Sequence, residues 1–91
     1  MFYAISYDIR DDRRRLKVAK VLKDFGQRVQ LSVFEVFLSP AELGRLKKRL
    51  TSILEQAQDS VRLYPLCGAC VLGIEVMGQG LVTQDPDFII I

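Results

Sequence analysis

The chain has no histidine and no asparagine, and only two cysteines among its 91 residues. Without imidazole, hydrolysis by the familiar serine or cysteine triads and zinc chemistry built on histidine are excluded. The cysteines, Cys67 and Cys70, form a single "CGAC" with no second pair, which is half of a zinc site. A thioredoxin-like dithiol sits at the start of a helix, whereas this motif falls between two strand-like runs, so a turn of small residues is expected. There is no P-loop and no GxGxxG. No apolar run approaches the roughly 20 residues needed to span a bilayer, and the N-terminus lacks the features of a secretory signal. The expectation is a cytoplasmic protein without a membrane partner.

What is present is the composition of one globular domain, residues 1–91, with 49% hydrophobic and 26% charged residues. The net charge of +2 is mild, but it is unevenly spread. Between Arg10 and Arg28 lie Arg10, Arg13, Arg14, Arg15, Lys17, Lys20, Lys23 and Arg28, against only Asp11, Asp12 and Asp24. "RLKKR" at 45–49 adds a second basic run, and after it Glu55, Asp59, Glu75, Asp85 and Asp87 stand against only Arg62, which leaves the first half basic. Arginine outnumbers lysine, which together with the missing asparagine is a faint mark of a heat-adapted or GC-rich source.

Residues 2–9, "FYAISYDI", alternate Tyr3, Ile5, Tyr7 and Ile9 with Phe2, Ala4 and Ser6, apolar on both faces as in a central strand. Asp8 ends that strand on the face opposite Tyr7. Asp11 or Asp12 then caps a helix whose apolar stripe, Val18, Leu22 and Phe25 with Ala19, is expected to end at Gly26 in a left-handed conformation. "RVQLSVFEVFL" at 28–38 changes phase, which predicts either a bulge near 32–34 or two strands with almost no turn between them. Ser39, Pro40 and Glu42 predict a capped helix carrying Leu43, Leu46, Leu50 and Ile53. "SVRLYPL" at 60–66 and "VLGIEV" at 71–76 read as a hairpin turned by CGAC. The segment 78–91 ends in "FIII", an apolar tail expected to fold onto this chain's sheet or to add to another subunit. This order predicts an α+β sandwich of ferredoxin-like type, with helices on one sheet face and the other free to pair.

Carboxylates, arginines and tyrosines remain as candidates for chemistry. Carboxylates beside a phosphate-binding basic surface are the usual arrangement for magnesium-dependent phosphodiester chemistry, because the hard cation takes oxygen ligands. Asp8 is the best candidate ligand; its alternative role is to turn the chain at a strand end. Asp11 and Asp12 are expected to start the helix. A single carboxylate is a poor site, but a twofold axis near the end of the first strand would let Asp8 and its symmetry mate share one metal. Arg13, Arg14, Arg15 and Lys17 oppose the dipole at a helix start, a local cost that a phosphate partner would offset; the alternative is a solvated helix face. Arg28 extends the basic surface. Phe34 and Tyr7 could stack on a base, although each also suits core packing.

"YDIRDDRRRLKVAKVLKDFGQRVQLSVFEVFL" closely resembles the signature of the Cas2 family of small CRISPR adaptation proteins: Tyr-Asp at a strand end, an arginine-rich helix start, Gly, Arg-Val-Gln and Ser-Val-Phe-Glu. The first 40 residues or so carry the dense part of the match. The resemblance implies a ferredoxin-like βαββαβ fold and a homodimer in which an additional C-terminal strand crosses to the partner. It also implies a divalent metal, magnesium or manganese, at the dimer axis. Members act as metal-dependent nucleases on RNA or double-stranded DNA, and as the central dimer that, with the integrase subunit, captures and inserts spacers. Carried onto this sequence, the metal ligand is Asp8, and Tyr7, Arg15, Arg28 and Phe34 match positions tied to activity. Lys17 stands where some members have arginine. The resemblance leaves two alternatives, a DNA scaffold with no necessary catalysis and a virulence-associated ribonuclease toxin of the same fold.

Overall fold

The computed structural model describes residues 1–85. The elements run β1 (Phe2–Asp8), α1 (Asp12–Lys23), β2 (Gly26–Gln30), β3 (Val33–Phe37), α2 (Pro40–Thr51), β4 (Ser60–Leu66) and α3 (Gly68–Leu72). The strands form one antiparallel sheet in the order β2-β3-β1-β4, the ferredoxin-like arrangement expected from the sequence. β1 is central because it is apolar on both faces and can be paired on both edges: Ile5 lies opposite Phe34 of β3 and Leu63 of β4. The C-terminal part of the 78–91 tail, with its proposed strand exchange, lies outside the described residues.

Both long helices cover one face of the sheet. Val18, Ala19, Val21 and Leu22 of α1 and Leu46 and Leu50 of α2 close over Ile5, Tyr7, Phe34 and Val36. Burying each of these large apolar side chains contributes roughly 1.5–3 kcal/mol. The caps follow the sequence. The Asp11 side chain accepts from the Arg14 backbone N–H at 2.9 Å, and Ser39 and Glu42 complete a reciprocal capping box with Pro40 at the first turn. The opposite face, carrying Ala4, Ser6, Asp8, Glu35, Phe37, Arg62 and Tyr64, bears neither long helix. No helix among the described residues is long and apolar enough to cross a membrane.

One open alternative is decided and two local expectations are corrected. The phase change at 28–38 resolves into two strands joined by Leu31 and Ser32, and the irregularity in register falls earlier, between Arg28 and Gln30. Neither Leu31 nor Ser32 has positive φ, so the hairpin lacks a twist-matching primed turn, and the displaced register at Val29 takes up the difference. Gly26 is not left-handed; it opens β2, where an added Cβ would collide with the Val36 side chain and the Glu35 carbonyl. Finally, 71–76 is not a strand. Gly68–Leu72 is a short helix with Cys67 at its N-cap, and Gly73 ends it. Glycine and alanine after Cys67 offer no β-branched surface to pair, while one helical turn brings Val71 and Ile74 to a half-buried position. Beyond it the chain returns to the sheet, where Thr83 Oγ1 donates to Glu35 Oε1 at 2.8 Å.

Candidate nucleic-acid interface and metal site

Asp8 closes β1 opposite Ser60 of β4. Strand alternation turns it to the helix-free face, where it is exposed and its side chain has no hydrogen bond or ion pair among the described residues. Its neighbour Tyr7 faces the core and is buried. The residues proposed from sequence therefore do not converge on one point.

Tyr7, Arg28 and Phe34 do meet, on the helix-covered side. The Tyr7 hydroxyl donates to the Leu31 carbonyl at 3.1 Å and accepts from Arg28 Nη2 at 3.0 Å. Arg28 also lies over the Phe34 ring, 5.4 Å from its centroid, a cation–π contact. The Tyr7 backbone N–H donates to Ser32 at 3.1 Å, so this cluster fastens the β2–β3 turn to the end of β1. Phe34 is fully buried and fills the core, which leaves it no face for a base.

Arg15 holds the other side of the same strand end. Its Nη1 donates to the carbonyls of Ile9 at 3.2 Å and Arg10 at 3.3 Å, and its Nη2 pairs with Asp12. The backbone just after Asp8 is thereby tied to the first turn of α1, and Asp12 has a local partner as well as a place in that turn. With Tyr7 on one side and Arg15 on the other, the position of Asp8 is constrained by the groups the resemblance singled out.

The basic run divides into two sets. Arg13 and Lys17 are exposed, and neither has a partner among the described residues. Arg14 instead grips Asp59, whose carboxylate is held below the usual range first by that hydrogen bond and then by the Glu55 backbone N–H at 2.9 Å. Arg14 also reaches Gln58 at 3.4 Å, which makes it a clasp between α1 and the approach to β4. In the second run Arg49 pairs with Asp24 at 2.9 Å. Sequence reasoning missed Asp59, because no spacing rule joins positions 45 residues apart. It also missed Arg62, which the register to Ser6 sets on the same face as Asp8.

The donor type suits a hard cation, but the number does not. Asp8 offers carboxylate oxygens, yet no group of three or more metal-binding side chains occurs among the described residues. One chain would supply a single ligand, and a second copy would have to supply its mate.

The fold and site define a small ferredoxin-like domain with an exposed carboxylate at the end of an inner strand and, on the adjoining helix, cations that have no partner among the described residues. The family model for CRISPR associated protein Cas2 matches residues 1–73, and the chain belongs to that family. It is 45% identical over 89 residues to a CRISPR-associated endoribonuclease Cas2 of Synechocystis, covering 98% of this chain and 97% of that one. The crystal structure of Streptococcus pyogenes Cas2 superposes with a TM-score of 0.77 at 38% identity, covering 86% of this chain and all of that one. A chain of a partial Cas6-RT-Cas1–Cas2 complex does so with a TM-score of 0.73 at 30% identity, covering 84% and 89%.

Proposed function

We propose that the chain acts in CRISPR adaptation as a homodimer that binds RNA or double-stranded DNA through its phosphates, works beside the integrase subunit, and cleaves phosphodiester bonds with a divalent metal. The observation that carries this reading is Asp8: an exposed carboxylate with no partner among the described residues, at the end of a strand clamped by Tyr7 and Arg15. Two such carboxylates facing each other repel unless a cation lies between them, so the paired site would favour Mg²⁺ or Mn²⁺. When bound, the metal would polarise a phosphoryl oxygen and lower the pKa of a coordinated water. The protein's own contribution is to hold Asp8 in place and to bring the phosphate chain to it with Arg13 and Lys17. Arg28 acts at a distance from Asp8, through the β2–β3 turn. The names of the Synechocystis relative and of the Cas1–Cas2 complex support nuclease activity and an integrase partner respectively.

Asp8→Asn is the test. The variant should fold as the wild type does, because the Asp8 side chain has no hydrogen bond or ion pair among the described residues, and should lose metal-dependent cleavage. Undiminished metal-dependent cleavage by the folded variant would reject the assignment.

A second reading, a scaffold without necessary catalysis, is favoured by the single ligand that one chain provides. It expects Asp8→Asn to support spacer acquisition in cells and the loss of Arg13 and Lys17 to prevent it. A catalytic requirement in adaptation predicts that Asp8→Asn also blocks acquisition.

A further inference from the structure

The CGAC motif is not a hairpin turn, and its placement changes what the two thiols can do. Cys67 is the N-cap of α3 and Cys70 lies one helical turn on, so both point to the same side. Their Sγ atoms are 3.3 Å apart, within S–H···S hydrogen-bond distance, and both residues are exposed. The Val71 N–H donates to the Cys67 carbonyl at 3.0 Å, which closes the turn around the pair. Only Gly68 and Ala69 stand between them, so little bulk shields the sulfurs.

We propose that Cys67 and Cys70 form a reversible dithiol site, which closes to a disulfide within one chain by exchange with a small-molecule disulfide of the glutathione class. In the first step the Cys67 thiolate attacks one sulfur of that disulfide; a mixed disulfide forms and one small thiolate leaves. Cys70, having given its proton to solvent, then attacks the Cys67 sulfur; the Cys67–Cys70 bond forms and the second small thiolate leaves. The protein dithiol is oxidised by two electrons and the small disulfide is reduced by two. The order follows from the surroundings. The Cys70 backbone N–H, and next the Cys70 thiol, stabilise the Cys67 thiolate and lower its pKa, while the same contact raises that of Cys70.

The site is separate from Asp8. Leu66, just before the motif, pairs with Phe2 at the start of β1, whereas Asp8 pairs with Ser60 at its far end, roughly 20 Å away along the strand. The disulfide would lock the point at which the chain leaves β4 for the segment that returns to Glu35.

The full-length protein is equilibrated in buffers of rising oxidised-to-reduced glutathione ratio, quenched in acid, alkylated, and read by intact mass and non-reducing electrophoresis. Both thiols should become unavailable together, with the mass of the unalkylated chain falling by two hydrogens and no covalent dimer. Cys70→Ser should instead accumulate a glutathione adduct at Cys67, and faster than Cys67→Ser accumulates one at Cys70. Two thiols that stay free in fully oxidised glutathione would overturn the proposal. So would a wild type that stops at the adduct or links to a second chain, or a Cys67→Ser variant that reacts as readily as Cys70→Ser.

Discussion

Arg14 of α1 grips Asp59 at the approach to β4 through two hydrogen bonds, Nε to Oδ2 at 2.7 Å and Nη2 to Oδ1 at 3.1 Å. The fork fits the carboxylate edge to edge, a geometry lysine cannot reproduce. Because the contact depresses the Asp59 pKa, the folded chain binds that proton more weakly than the unfolded chain does. Its stabilisation is therefore complete above the ordinary aspartate range, about pH 4, and is lost as pH falls through the depressed folded value. Asp59→Asn should lower the stability at neutral pH and flatten its decline in acid. Urea titrations of both proteins across the acid range check this, and parallel pH profiles would exclude the clasp as a source of acid sensitivity.

The Tyr7 hydroxyl joins three segments, β1, the β2–β3 turn and Arg28, in one pair of hydrogen bonds. Tyr7→Phe keeps the ring in the core and removes only the oxygen, at a cost of about 1 kcal/mol for the lost bonds. Since the hydroxyl helps fasten the strand end that carries Asp8, the Mg²⁺ concentration giving half-maximal cleavage should rise along with the loss of stability. Chemical denaturation and a metal titration of nuclease activity test the two halves. An unchanged metal midpoint in the destabilised variant would mean that the Tyr7 clamp does not position Asp8.

Gly26 is required for close approach rather than for an unusual backbone angle. A Cβ there would lie 2.9 Å from Val36 Cα and would also meet the Val36 side chain and the Glu35 carbonyl oxygen. Gly26→Ala should cost about 1–3 kcal/mol, as overpacking of a fitted contact does. Adding Val36→Ala should not restore the loss, because the Glu35 oxygen belongs to the backbone. Recovery of stability in the double variant would place the whole conflict in the Val36 side chain.

The sheet and long helices were legible because their signals are local: alternation in 2–9, the Ser39–Pro40–Glu42 cap, and leucines at helical spacing after it. The hairpin at 26–37 was half legible, since the phase slip showed a discontinuity but could not separate a bulge from a turn. Gly26 was misread because a glycine after an apolar stripe usually ends a helix, and only the neighbouring strand reveals the crowding. The apolar run at 71–76 resembled a strand, but Gly68 and Ala69 lead it into a helical turn that Gly73 ends. The place of Asp8 at the end of β1, on the face opposite Tyr7, was legible from the alternation in 2–9. The division of the arginines was not, because Asp59 and the carbonyls of Ile9 and Arg10 are brought to Arg14 and Arg15 by the fold.

That division yields a prediction about binding. Arg13 and Lys17 have no partner among the described residues, so a phosphate can take each of them without breaking a contact made there. Every phosphate they neutralise releases condensed counterions, and the slope of log K against log salt for duplex DNA should shrink by about 1 for Arg13→Gln and again for Lys17→Gln. Arg14→Gln should behave differently. Its guanidinium already has the Asp59 carboxylate, so the variant should be less stable while keeping the wild-type slope at a temperature where it stays folded. Salt titrations of DNA binding for the three variants, each checked by circular dichroism, decide the matter. An equal fall in slope for folded Arg14→Gln would mean that DNA displaces Asp59 and takes Arg14 as a phosphate contact.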